Sequence, residues 1–335
     1  MDRRWTWPLL TALALALVGV FGWTAVFASD PTDAPAGPTA ADAPPPSAAD
    51  SPAATAGLLS SPSPSPTPPP SRPAPAARPP RAAAPVLYLG DSLAMENQQV
   101  LAEQVRASGR SVLRSAPYSG TTLCDYLAGP AGGEAKSLVP ARDKAAALVR
   151  AVRPRVVVLQ FWGNSWGFTP CMGAIAAGTP EYYARYAADA RTLTEQIAAA
   201  ARNTGIPRPK IIWVAQGPDA FRPGRVRRVN AIYRAQAAAT GDLVADAGGE
   251  VSPAGDRYAW ARELPCNAYE RAHPAYCTRP DRDGGTAQLH RPDDALHFCL
   301  APTTTTPRPC PVRSPGIVRY CRAIAATVDG YLKSL

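Results

Sequence analysis

Two short segments of the chain carry residue types that could perform acyl transfer. Gly90-Asp91-Ser92-Leu93 follows an apolar run, and Asp294 precedes His297 by three residues. A serine at the start of a helix lies where main-chain amides favour the negative charge that nucleophilic attack creates. An aspartate on the same turn as a histidine can hold the imidazole tautomer that accepts a hydroxyl proton. We therefore expect Ser92 as the nucleophile, His297 as its base and Asp294 as the residue that orients His297.

Each assignment has a simpler structural alternative. Ser92 could only cap the helix that follows it, as many serines do. His297, one of three histidines in the chain, could be a surface residue beside two acids. The occurrence of both segments in one chain favours the catalytic interpretation.

The two segments resemble blocks of the SGNH, or GDSL-type, hydrolase family. Gly90-Asp91-Ser92-Leu93 matches the first block of that family, and Asp294-x-x-His297 matches its last block. Ser119-Gly120 resembles the glycine block. Residues 162–165, Trp-Gly-Asn-Ser, resemble the Gly-x-Asn-Asp block, but with Trp162 and Ser165 in place of the family's first Gly and its Asp. The four blocks occur in the family's order.

The resemblance implies a particular site and mechanism. The oxyanion hole would consist of the main-chain amides of Ser92 and Gly120 and the side-chain amide of Asn164. The reaction would pass through an acyl-enzyme on Ser92, with no cofactor and no metal. Aromatic residues in the same loops could wall the substrate, or could simply pack in the core: Tyr118, Phe161, Trp162 and Trp166. His273 and His290 have no predicted role.

Short apolar runs alternate with helical stretches from residue 85 onward. Strands are expected at residues 86–89, 111–114, 156–161, 210–215 and 243–246, and helices at residues 94–108, 137–152, 180–203, 225–240 and 315–333. The third strand is apolar on both faces, which is typical of the centre of a parallel sheet. The alternation predicts a three-layer α/β/α domain, flavodoxin-like, with a mostly parallel five-stranded sheet. In such sheets ligands bind beyond the carboxyl ends of the strands, where the blocks described above lie.

The N-terminal quarter has a different composition. Arg3 and Arg4 precede 24 uncharged residues, 5–28, enough to cross a bilayer as a transmembrane anchor; a cleaved signal peptide is the alternative. Residues 29–84 hold 17 of the 39 prolines and should form a disordered Pro/Ala/Ser-rich linker. We expect residues 85–335 to fold outside the cell, either tethered to the membrane or secreted.

Seven cysteines fit an oxidising compartment and up to three disulfides. Spacing does not fix the connectivity, so the pairing Cys124–Cys171, Cys266–Cys277 and Cys299–Cys310 is a hypothesis that leaves Cys321 unpaired. A zinc site built from cysteines with His273 or His290 is the alternative, although the chain has no Cys-x-x-Cys pair.

The net charge of +9 is spread along the chain, and no nucleic-acid-binding motif accompanies it. The charge suits an anionic envelope or membrane surface. One cluster is expected on the exposed face of a helix, where it could contact an anionic polymer: Arg222, Arg225, Arg227 and Arg228.

Together these features predict an exported serine esterase that removes acyl groups, including acetyl, from an envelope glycan or a small molecule. Two alternatives stay open. The same site could pass acyl groups to a sugar hydroxyl as an O-acyltransferase, or the domain could be a glycan-binding module with an inactive site.

Overall fold

The computed structural model describes residues 82–129, 137–164, 169–281, 284–302 and 309–335. All of them belong to one compact unit, Pro75–Leu335. The predicted anchor or signal peptide (1–28) and linker residues 29–81 lie outside these ranges. None of the helices in the described ranges combines the length and the apolar character needed to cross a membrane.

The centre of the described unit is a parallel sheet of five strands in the order β2-β1-β3-β4-β5. The strands are β1 Ala84–Gly90, β2 Ser111–Ser115, β3 Val156–Gln160, β4 Lys210–Val214 and β5 Leu243–Ala245. All five residues of β3 are buried, as its unbroken apolar run predicts for a central strand. The fold class expected from the sequence is correct.

Helices cover both faces of the sheet and complete the three layers. They are α1 Ser92–Ala107, α2 Ala145–Val152, α3 Pro180–Asn203, α4 Pro223–Thr240, the short α5 Ala268–Ala272, and α6 Pro315–Lys333. Alternate residues of β1 and β3 enter two separate apolar clusters. Leu87 and Val157 pack with α2 and α3, whereas Val86 and Val156 pack with α1 and α6. The period of two along each strand thus divides the core into two halves.

The structure corrects one predicted helix. Residues 137–152 were expected to be helical throughout, but only α2 is an α-helix, and residues 137–144 form an irregular segment with one 3₁₀ turn, Ala141–Asp143. Pro140 explains the difference, because it has extended backbone angles and its ring excludes a continuous helix through this position.

A small element that the sequence did not predict lies between β5 and α6. Strands β6 Glu263–Pro265 and β7 Thr286–Gln288 pair antiparallel beside α5. A buried ion pair between Arg319 of α6 and Glu270 of α5, with a closest N–O distance of 2.6 Å, attaches this element to the domain.

Three disulfides occur in the described residues: Cys124–Cys171, Cys266–Cys277 and Cys299–Cys310. They are the pairs hypothesised from the sequence, and Cys321 is buried with a free thiol. The bonded sulfurs offer no thiolate to zinc, so the zinc alternative built on these cysteines is wrong for them.

Candidate active site

The site lies where the strand order reverses between β1 and β3. Both strands run in the same direction, so the turn after β1 and the loop after β3 meet at one edge of the sheet. The first carries Ser92 and the second carries Asn164. This is the point at which open parallel sheets form a ligand crevice.

Close packing at the end of β1 requires a glycine. A Cβ atom on Gly90 would lie 2.3 Å from the carbonyl oxygen of Gln160 and 2.4 Å from the Cβ of Ala94. Without a side chain, the strand turns directly into α1, and Asp91 caps that helix by accepting the amide of Leu93 at 3.0 Å. Ser92 is consequently the first residue of α1, at the positive end of the helix dipole.

The structure brings Ser92, His297 and Asp294 into one hydrogen-bonded chain. Nε2 of His297 lies 3.0 Å from Oγ of Ser92, although 205 positions separate the two residues. Nδ1 of His297 lies 3.0 Å from Oδ2 of Asp294. Asp294 also accepts the main-chain amides of Leu296 and His297 at 3.0 Å, which fixes the carboxylate relative to the ring. This is the geometry that a serine nucleophile, a base and an orienting acid require.

The electrostatics of the three residues suit those roles. Burial alone would lower the pKa of His297, but the hydrogen bond to Asp294 and the nearby charge of Glu96 outweigh it, and the pKa is raised. Burial would raise the pKa of Asp294, but hydrogen bonds from the side chain and backbone of His297 outweigh it, and the pKa is lowered. Asp294 is therefore ionised where His297 takes up a proton.

Asp91 connects the nucleophile turn to the loop after β3. Its Oδ1 accepts the amide of Leu93, and its Oδ2 accepts the amide of Trp162 at 2.6 Å and lies 3.5 Å from Nδ2 of Asn164. Burial raises the pKa of Asp91 to about 6, against these hydrogen bonds. The aspartate of the first block thus positions the asparagine of the third.

The three predicted oxyanion donors lie on the loops that meet at this edge. Nδ2 of Asn164 donates to the carbonyl of Thr121 at 3.0 Å, next to Gly120. Within the described part of the chain, the main-chain amides of Ser92 and Gly120 donate to no acceptor. Gly163 holds the loop by close packing, since its φ is +90° and a Cβ there would lie 2.7 Å from the Tyr182 hydroxyl.

The loop aromatics differ from the expectation that they wall the substrate. Phe161 is fully buried and Trp162 is only 2% exposed, so both are core residues. Tyr118 is half-buried, and its hydroxyl donates to Asp143 at 2.5 Å. Trp166 and Ser165 lie outside the described residues. The packing alternative is therefore correct for Phe161 and Trp162.

The structure also corrects the expectation for Arg225, which does not lie on the exposed face of α4. It is 2% exposed, donates to Asp219 at 2.7 Å, and stacks its guanidinium 3.8 Å from the ring centre of Trp162. Arg222, Arg227 and Arg228 are exposed as expected. Trp162, which stands where the third block has a glycine, therefore packs against the buried ion pair of Arg225 and Asp219.

Two residues that the sequence left without a role hold the loop of His297. Buried His290 places Nδ1 3.0 Å from the carbonyl oxygen of His297 and stacks on Trp260. Arg291 donates to the carbonyls of Cys299 and Ala301 at 3.1 and 2.7 Å. The sequence carried a weak signal for both, since they lie within four positions of Asp294, the first residue of the final block.

Several solved structures are similar to this chain. No protein-family model and no curated protein matches the chain. A psychrotrophic esterase from a Pseudoalteromonas species is similar in structure, with 14% identity over 75% of this chain and 99% of that chain and a TM-score of 0.40. The periplasmic domain of a Salmonella Paratyphi A lipopolysaccharide acetyltransferase has 10% identity over 74% and 84%, with a TM-score of 0.41. An acetylxylan esterase from Geobacillus stearothermophilus has 16% identity over 50% and 78%, with a TM-score of 0.33. At these identities and TM-scores, the similar structures do not assign a reaction to this chain.

Proposed function

We propose that this protein is a serine esterase that cleaves acyl esters through a covalent acyl-enzyme on Ser92. The observation that carries the proposal is the pair of 3.0 Å contacts that join Ser92 to His297 and His297 to Asp294. The resemblance of the four sequence blocks to SGNH hydrolases supports the same conclusion. Binding a glycan without catalysis does not require Ser92, His297 and Asp294 to form one hydrogen-bonded chain.

The geometry supports a two-step reaction. Nε2 of His297 takes the proton of Ser92 as Oγ attacks the ester carbonyl, and Asp294 stabilises the imidazolium. The amides of Ser92, Gly120 and Asn164 stabilise the tetrahedral oxyanion. His297 returns the proton to the leaving alkoxide, which departs as an alcohol. His297 then takes a proton from water as the water oxygen bonds to the acyl carbon. The bond between the acyl carbon and Oγ of Ser92 breaks, His297 returns the proton to Oγ, and the acid leaves.

Export and an envelope substrate are part of the proposal. The three disulfides are typical of an oxidising compartment, which supports a catalytic domain outside the cell, tethered by residues 1–28 or secreted. Acylated glycans, including acetylated ones, are the esters that an enzyme at that location would meet. A soluble acylated molecule is the second class of substrate.

The first experiment measures hydrolysis of a p-nitrophenyl acyl ester by the full chain. Ser92→Ala should remove nearly all activity, because it removes the nucleophile, and a fluorophosphonate should label Ser92 in the parent and the control but leave Ser92→Ala unlabelled. Ser334→Ala is the matched control, since Ser334 lies at the C-terminal end of α6. Equal rates for Ser92→Ala and the parent would contradict the proposal.

A second measurement separates hydrolysis from acyl transfer. Both reactions share the acyl-enzyme and differ in the acceptor, water or a sugar hydroxyl. The parent is given the aryl ester with and without a soluble oligosaccharide, and free acid and acylated sugar are quantified. Free acid as the main product in both conditions supports the esterase, whereas acylated sugar as the main product identifies an O-acyltransferase.

A further inference from the structure

Glu96 is a buried acid one helical turn after the nucleophile. It lies on α1 four positions beyond Ser92, so the two side chains project from the same face of the helix. Its side chain is almost inaccessible, at 4% exposure. Carboxylates are rarely buried to this extent unless specific partners hold them.

The partners of Glu96 are the two main-chain amides that directly follow His297. Oε1 accepts the amide of Phe298 at 2.9 Å, and Oε2 accepts the amide of Cys299 at 3.1 Å. The carbonyl oxygen of Glu96 accepts the amide of Cys310 at 3.2 Å, on the other side of the Cys299–Cys310 disulfide. One residue of α1 therefore binds the main chain directly after His297 and the main chain at Cys310.

These contacts satisfy groups that would otherwise have no acceptor. Phe298 and Cys299 are buried in a stretch without helix or strand, and buried amides need a partner. Arg291 donates to the carbonyls of Cys299 and Ala301. The segment after His297 is thus held by a carboxylate at its amides and by a guanidinium at its carbonyls.

The charge of Glu96 also acts on His297. Among the described residues, no lysine or arginine forms an ion pair with Glu96. Burial raises the pKa of Glu96 to about 7, and the imidazole of His297 opposes that rise. The other titratable groups that interact with Glu96 are Tyr88 of β1, Asp294 of the histidine loop and Cys321 of α6, and Asp91 of the nucleophile turn acts on His297. None of these is a cation, so the imidazolium is the positive charge that an ionised Glu96 stabilises.

We propose that Glu96 is a positioning residue for the base. It holds the main chain behind His297 so that Nε2 faces Ser92, and its charge favours the imidazolium formed during acyl transfer. This inference rests on the proposed ester chemistry of Ser92. Glu96 is then a second acid, on a different element from Asp294, that sets the position and the pKa of His297.

The test compares Glu96→Gln with Glu103→Gln in the full chain. Glutamine has the shape of glutamate, but its amide nitrogen cannot accept the second main-chain amide and it carries no charge. Glu96→Gln should lower kcat on an aryl ester by roughly tenfold to a hundredfold, the range for loss of one charge-assisted hydrogen bond, with KM nearly unchanged. The acid limb of its kcat/KM profile should move to lower pH, because a lost negative charge lowers the pKa of His297.

Glu103 provides the matched control. It lies on the same helix in an exposed ion pair with Arg313, so Glu103→Gln should leave kcat and the pH profile unchanged. Glu96→Asp separates the two parts of the proposal, because it keeps the charge but is too short to reach both amides. It should lower kcat without moving the acid limb.

Equal kcat values for Glu96→Gln and Glu103→Gln would overturn the proposal. A lower kcat for Glu96→Gln would also overturn it if the acid limb of the kcat/KM profile stayed at the pH of the parent. If the Glu96 variants fail to fold, NMR of the unaltered protein decides. The chemical shifts of the Glu96 carboxyl carbon and of the amides of Phe298 and Cys299 should then change with pH at the same midpoint. Amide shifts that do not follow the Glu96 carboxyl would overturn the assignment. An inactive parent would instead refute the esterase function, which the NMR titration does not require.

Discussion

At the scale of single residues, His297 has properties that neither its type nor its position in the sequence specifies. Asp294 fixes its tautomer through Nδ1, which leaves Nε2 free to accept the proton of Ser92. The neutral ring is the active form of a general base. Its hydrogen bond to Asp294 and its proximity to Glu96 raise its pKa despite burial, so the base becomes neutral at a higher pH than an isolated histidine.

The raised pKa of His297 predicts the pH dependence of the reaction. The kcat/KM of the parent should rise with pH along an acid limb centred above 6.5, the ordinary value for histidine. Asp294→Asn should move that limb to lower pH and reduce kcat on the order of 10³- to 10⁴-fold, because the imidazolium loses its partner and the tautomer is no longer held. A pH–rate profile on an aryl ester measures both effects. Asp293→Asn is the control, since Asp293 is exposed and pairs with Arg291, whereas Asp294 contacts both Arg291 and His297; an equal loss in both variants would contradict the role of Asp294.

Asn164 is expected to act on the transition state and not on substrate binding. Asn164→Ala removes a donor held near the Gly120 loop, and should cost about 3 kcal/mol of barrier, or roughly a hundredfold in kcat. KM should change little. Steady-state kinetics of this variant and of Asn203→Ala, an exposed asparagine at the end of α3, provide the comparison. A large rise in KM at constant kcat would assign Asn164 to binding.

At the scale of elements, α4 supports the asparagine loop through a buried ion pair. Arg225 is bound to Asp219 of the loop between β4 and α4 and stacks on Trp162. The amide of Trp162 in turn donates to Asp91, the cap of α1. Three elements therefore share the contacts that fix the third block, despite its departure from the family pattern.

Removing the guanidinium should destabilise the domain. Arg225→Met leaves the buried carboxylate of Asp219 without its main partner, at an expected cost of about 3 to 5 kcal/mol in the free energy of unfolding. Asp219→Asn combined with Arg225→Met should recover part of that loss. Guanidinium unfolding measures both, with exposed Arg227→Met as control. A cost below about 1 kcal/mol would show that the ion pair contributes little.

At the scale of the whole molecule, two disulfides connect the loops of the site. Cys124–Cys171 joins the segment after Gly120 to the segment after Asn164, and Cys299–Cys310 closes the loop after His297. Both lie at the edge of the sheet where the strands end. The covalent links therefore restrain the chain after Gly120, Asn164 and His297.

The lengths of the closed loops predict the order of the stability losses. Cys124–Cys171 spans 47 positions, and the other two disulfides span 11 each. In the chain-entropy model, removing the long link costs about 4 kcal/mol and removing either short one about 3 kcal/mol. Paired Cys→Ser variants, compared by denaturant unfolding, should follow that order. A smaller loss for Cys124→Ser with Cys171→Ser than for the short pairs would contradict the model here.

Local sequence patterns determined much of this molecule. The unbroken apolar run of β3 and the alternation of strands with helices each depend on neighbours within a few positions, and the structure agrees with the fold class that they predict. Ser92, Asp294 and His297 could be selected because short motifs carry them. Their catalytic roles stay predictions that the Ser92→Ala and Asp294→Asn measurements test.

Only the tertiary structure decided which side chains are partners across the sheet. Glu96 and His290 have no local motif, yet each binds the main chain of the histidine loop. Arg225 looked like one member of an exposed basic face, and Trp162 like a residue facing the substrate. Their burial depends on the contact between α4 and the loop after β3, and sequence periodicity contains no information on contacts between segments about 60 positions apart. The strand order sets those contacts, because it brings the carboxyl ends of β1 and β3 side by side.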